Sequence, residues 1–309
     1  MTSIELYAFS WCSSLREIVI PDSVTSIGQD AFTRCSSLTD IVIPDSVTSI
    51  GYGVFSGCSS LTEIVIPDSV TSIGGNAFYE CSSLTEIVIP DSVTSIGSGA
   101  FYGCRSLTEI VIPDSVTSIG RSPFYGTGYY YDKNNWNGDE LYIGKYLIEV
   151  QDDIAGKYTI KDGTKCIASY TFSGCRSLTE IVIPSSVTNI SDYAFAFCYS
   201  LTEIVIPTSV TNISNSAFYW CSSLTKVVIP DSVTSIGDSA FQNCSSLTEI
   251  VIPNSVTSIG NSAFTLCKNL TSIIFEGTVE EWEEITKQHY WNNDIPATEV
   301  VCKNGVVTL

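Results

Sequence analysis

The chain has 309 residues and carries 33 acidic against 14 basic side chains, a formal charge of −19 at pH 7. So acidic a chain offers no basic face for nucleic acid or an anionic membrane surface, and it favours basic or cation-bridged partners. No run of 18 apolar residues occurs, so no membrane insertion is expected.

Length alone suggests two domains, but an internal period overrides that prior. The phrase LTEIVIPDSVTSIGxxAFxxCSS begins at Leu15 and returns at Leu38, Leu61, Leu84 and Leu107. It resumes at Leu178 and returns at Leu201, Leu224, Leu247 and Leu270, always in steps of 23 residues. A fixed period of this size marks stacked units. Within each unit Ile-Val-Ile alternates as a short strand, and Pro ends it because it has no N–H for a ladder. Asp-Ser turns the chain, Val and Ile of VTSI point inward, and the following Gly allows a tight corner. Ala, Phe and Cys complete an interior that one turn cannot close alone, so turns stack and like strands pair at ~4.8 Å.

Residues 1–126 form the first array. Its variation falls between the Gly and the Cys, as in Thr33-Arg34, Tyr79-Glu80 and Tyr102-Gly103. Two readings stand: loops tolerate change, or this is a variable binding edge. Thr2 to Cys12 aligns with Thr25 to Cys35 without a gap, with Met1 where Val belongs, so the chain begins in mid-turn. An open turn exposes a strand edge, and end-on self-association through it is expected. The first residues show neither a basic nor an apolar leader region, so no signal peptide is read.

Residues 127–157 break the period. Tyr129, Tyr130, Tyr131 and Trp136 precede two alternating runs joined by Gly144-Lys145, the pattern of a two-residue hairpin. This insertion reads either as a protruding aromatic contact site or as worn turns that space two arrays. Residues 158–275 form the second array, whose variable edge carries Tyr193, Phe197, Tyr199, Tyr219 and Trp220. Residues 276–309 leave the repeat. Thr278 to Glu281 is a capping box, and Val279, Trp282 and Ile285 share a helical face. Asn304-Gly305 between two apolar runs predicts a type I′ hairpin, so the segment reads as a helix-plus-hairpin cap.

Stacking converts repeated residues into ladders. Ten cysteines recur at the period, a spacing that is no zinc motif, and they are expected as reduced, buried thiols. An acidic ladder includes Glu63, Glu86 and Glu109 beside a row of valines, a second candidate contact surface. A flat row does not converge as a calcium cage must, so no metal is expected there. The Thr ladder is read as structural first, with a glycan- or ice-binding lattice as its alternative. The one histidine, His289, has no catalytic companion, and no phosphate loop or nucleophile elbow appears, so neither an enzyme nor a cofactor is expected.

The pattern Cys-x-x-Leu-x-x-Ile-x-Ile-Pro-x-x-Val-x-x-Ile-Gly-x-x-Ala-Phe runs from Cys35 to Phe55, with Val54 in the Ala position. It resembles the leucine-rich repeats of the BspA-like (TpLRR) type over nearly the whole chain. The resemblance implies a β-rich solenoid, a curved array with a concave parallel β-sheet. It also implies a non-enzymatic binding or adhesion module for a protein or glycan, at a cell surface or secreted. The alternative is a structural, self-assembling solenoid without a dedicated ligand.

Overall fold

The computed structural model describes residues 2–151 and 154–309. Met1, which stands in the valine position, and Asp152-Asp153 of the insertion lie outside the described residues. Two compact units divide at Ile148 and Glu149.

In the first unit each 23-residue step is one turn with three walls. The first wall holds the strands Glu17–Val19, Asp40–Val42, Glu63–Val65 and Glu86–Val88, with Glu109 following in an irregular segment. Pairing is parallel and in register, Glu63 beside Glu86 and Val65 beside Val88. The pattern decides the faces: Ile64 is buried while Glu63 and Val65 are exposed. The second wall holds Ser26–Ile27, Ser49–Ile50, Ser72–Ile73 and Ser95–Ile96, again parallel. Between these walls Pro-Asp-Ser-Val closes a turn through Val47 N–H to Pro44 O at 3.0 Å. The serine of that turn is bound as well: Ser46 Oγ donates to Val24 O of the preceding turn, and Ser69 repeats this with Val47.

The third wall carries Ala-Phe-x-x-Cys and is not a strand. Two residues per turn, four apart, have positive φ: Asp30 (53°) and Arg34 (58°), then Gly53 and Gly57, then Asn76 and Glu80. Such residues turn alternate amides along the stack. Asp30, Phe32 and Arg34 donate to Tyr52 O, Val54 O and Ser56 O of the next turn, while Ala31 and Thr33 close bonds within their own turn. The phenylalanines stack in one column, Phe9–Phe32–Phe55–Phe78–Phe101–Phe124, with centroids 5.2 to 5.7 Å apart. Beside them each buried cysteine is a free thiol that donates back along the stack, Cys58 Sγ to Phe32 O at 3.2 Å and Cys81 to Phe55 O at 3.1 Å.

The glycine after VTSI has a different reason from the corner that the sequence suggests. Gly74 has no positive φ; a Cβ there would stand 2.6 Å from Gly51 C and 2.8 Å from Tyr52 N. The residue is small because adjacent turns approach closely at this corner.

The second unit repeats the three walls, with Glu203–Val205 and Lys226–Val228 on the first and Asn212–Ile213 and Ser235–Ile236 on the second. Its phenylalanine column ends edge-on against Trp291, which meets Trp282 at 5.7 Å. Trp282 belongs to the helix Val279–Glu284, whose Thr278/Glu281 capping box is formed. The closing hairpin pairs Glu299–Cys302 with Gly305–Thr308. Its two-residue loop is Lys303-Asn304, and neither has positive φ, so it is not the type I′ turn on Asn304-Gly305 that the dipeptide predicts. Asn304 serves the helix instead: its Oδ1 accepts from Val279 N–H, and its Nδ2 donates to Glu280.

Candidate binding groove

The first unit carries an open groove of about 770 Å³ along its third wall. It arises from three columns, one residue of each per turn. The floor is the positive-φ position before the cysteine site, where successive turns place Trp11, Arg34, Gly57, Glu80, Gly103 and Gly126. Three glycines in six rungs leave the floor deep. The stems of Arg34 and Glu80 lean over their neighbours, since a Cβ at Gly57 or Gly103 would stand 3.2 Å from Arg34 Cγ or Glu80 Cγ.

One rim is a stack of tyrosines. Tyr79 and Tyr102 lie 5.0 Å apart, Tyr102 and Tyr125 5.1 Å, and Tyr130 packs tilted on Tyr125 at 4.7 Å. The opposite rim is a hydroxyl row, Ser13, Ser36, Ser59 and Ser82, ending in Arg105. Exposed aromatics stand at the two ends, Trp11 with 66% of its surface open and Tyr131 with 64%. Arg34 lies over the Trp11 ring at 4.5 Å. The Tyr79 hydroxyl is held above its ordinary pKa, first by burial and then by Glu80 and Tyr102, with Arg34 opposing. No cation-binding group of three or more His, Cys, Asp or Glu occurs among the described residues.

The sequence-predicted residues divide. Of the insertion aromatics only Tyr131 lines the groove. Tyr129 is half-buried and donates its hydroxyl to Tyr142 O, and Trp136 Nε1 donates to Tyr130 O at 2.8 Å. Tyr130 bridges the tyrosine stack to Trp136 and Tyr131 by edge contacts. The segment therefore extends the rim more than it protrudes. In the second unit Phe197 and Trp220 occupy the floor position itself, and Tyr219 stands edge-on to Phe197 at 5.3 Å. Tyr199 carries Arg176 over its ring, and Tyr193 stacks on Tyr170 at 4.7 Å. Aromatic side chains thus take two floor positions of that unit, the others being Gly174, Asn243 and Leu266.

Glu63, Glu86 and Glu109 lie on a different wall, exposed beside Val65, Val88 and Val111, of which Val65 is 79% exposed. In the second unit this ladder is partly neutralised: Lys157 bridges Glu180, and Lys226 sits in register beside Glu203. Sequence reading marks Tyr79 and Tyr102 as edge positions but does not join them to Trp11, Arg105 and Tyr131. Alignment at the period puts Tyr79, Tyr102 and Tyr125 in one column and three glycines in the next, which is the signal that finds the groove.

The BspA type leucine rich repeat region matches the chain in six copies, over residues 2–130 and 157–293. Among curated proteins no sequence relative is found. Solved structures give several. A leucine rich cell surface protein from Faecalibacterium prausnitzii A2-165 is 31% identical, with 92% of this chain and 86% of that one covered and a TM-score of 0.49. The pneumococcal vaccine antigen PcpA is 22% identical over 96% of this chain and 84% of its own, with a TM-score of 0.43. The T. pallidum leucine rich repeat protein (TpLRR) is 24% identical over 79% of this chain and 82% of its own, with a TM-score of 0.27.

Proposed function

The chain belongs to the BspA-type leucine-rich repeat family, and from that premise we propose that it is a non-enzymatic binding module for a protein or glycan at a cell or matrix surface. The groove of the first unit carries this reading. It gathers tyrosine, tryptophan, serine, glycine and arginine, the residue types that give large contact area and adaptable hydrogen bonds at low entropic cost. A surface location is supported by the Faecalibacterium relative, which is a leucine rich cell surface protein.

The test presents the whole chain to immobilised matrix proteins, a glycan panel and intact microbial surfaces, beside a Tyr102→Ala/Tyr125→Ala variant and a Trp220→Ala control. Binding lost in the double variant and kept in the control is expected. If no surface binds and the chain instead assembles through its first turn as concentration rises, the self-assembling structural role replaces this one.

A further inference from the structure

We propose that the groove between Trp11 and Tyr131 is a subsite for an uncharged, linear oligosaccharide, an inference that rests on the binding role proposed above. Four observations select this class. No aliphatic side chain lines the groove, so an amphipathic helix would find no pocket for its apolar anchors. An extended peptide cannot join as an added strand, because the floor and rim amides are already used: Gly57 N–H goes to Tyr79 O, Glu80 to Tyr102 O and Gly103 to Tyr125 O.

Charge supplies the third observation. Arg34 and Arg105 are separated along the groove by Glu80, so a uniform polyanion meets the carboxylate and a polycation meets the guanidiniums. An uncharged chain meets neither penalty, and arginines and carboxylate alike bond to hydroxyls.

The fourth observation is the repeat itself. Serine hydroxyls, which both donate and accept, and tyrosine edges return once per turn at about 5 Å, so they suit a ligand that also repeats. The inner tyrosine faces cover one another, leaving their edges and phenol groups for the ligand. Tyr131 keeps 64% of its surface open at one end for a terminal sugar, and at the other Trp11 offers the ring face that Arg34 does not cover. Five steps separate the first and last floor positions, so the groove spans roughly 25 Å at the strand spacing and holds about five pyranose units.

The experiment is calorimetric titration of the full chain with uncharged linear oligosaccharides of two to eight units, from the β-1,4-glucose, β-1,4-N-acetylglucosamine and α-1,4-glucose series. A hexauronate and the surface proteins captured in the preceding test serve as comparators. In at least one uncharged series affinity should rise with length to about five units and then level. Tyr102→Ala/Tyr125→Ala should weaken it about tenfold or more while the variant still unfolds cooperatively well above the assay temperature, and Trp220→Ala should leave the affinity unchanged. Preference for the hexauronate overturns the uncharged class. Protein ligands that bind through the groove while every sugar fails overturn the oligosaccharide and leave the binding role standing. No binding by any probe removes both.

Discussion

At the level of single residues, the thiol ladder makes stability depend on alkaline pH. Burial raises Cys35 to about 11, aided by Cys12, and burial raises Cys104, Cys221 and Cys267 to about 12, against an ordinary value near 9.0. These groups have no effect below pH 9, where both folded and unfolded chains hold their protons. Above it the unfolded chain releases protons that the folded chain keeps, so stability falls by about 1.4 kcal/mol per pH unit for each thiol, until the folded value is passed. The melting temperature should therefore be flat from pH 7 to 8.5 and drop steeply by pH 10.5. In the native protein Cys12, the one exposed thiol, should react with a thiol reagent at once, and the other eleven only in denaturant. Gly74→Ala, whose Cβ meets the Gly51 backbone, should cost about 2–4 kcal/mol. Gly51→Ala, with nothing nearer than 3.7 Å, should cost less than about 1 kcal/mol in the same denaturant titration. The glycine column is legible in the sequence, but its cause is not. A tight corner and a close approach between turns call for the same residue, and only the packing separates them.

At the level of elements, the insertion is more structural than its composition suggests. Its hairpin, Glu140–Ile143 and Tyr146–Val150, turns at Gly144 with φ 58° as the Gly-Lys pair predicts. Tyr146 is buried and donates its hydroxyl toward Pro113 O (2.6 Å) and Val116 O (3.1 Å) of the last regular turn. Tyr146→Phe removes a donor shared by two carbonyls and should cost about 1–3 kcal/mol in chemical denaturation. A full-strength protein would sink this account of the hairpin. The strand pattern was readable because alternation survives the break in period. The anchoring was not, because a tyrosine in an apolar run carries no sign of where its hydroxyl goes. The C-terminal cap divides likewise: the capping box follows from spacing alone, whereas Asn304 looks like a turn former and instead ties the hairpin to the helix.

For the whole molecule, charge is the unbalanced quantity. The ion pairs Lys145–Asp114 and Lys157–Glu180 stand against a formal charge of −19. In the first unit the acidic ladder stands in register with no basic residue in its column. Like charges about 5 Å apart in water repel by about 0.8 kcal/mol per neighbour pair. Raising sodium chloride from 20 to 500 mM should therefore raise the melting temperature, and a fall would refute the repulsion. The walls, their register and the buried set are legible from the period, since Leu, Ile, Val, Phe and Cys take the inward positions that spacing assigns. The groove is legible only in part, because it depends on which side chains are missing: glycines at the floor of one unit, Phe197 and Trp220 at the floor of the other.

The hydrogen bonds that join successive turns mostly connect residues 22 to 24 positions apart, as from Phe32 to Val54 or Thr71 to Thr48. That separation stays near 23 residues however many turns the array has, so the loop closed by each added turn does not lengthen with the chain. Each new turn needs only its predecessor as a template, so lengthening such an array by a duplicated repeat adds stability without adding a longer search.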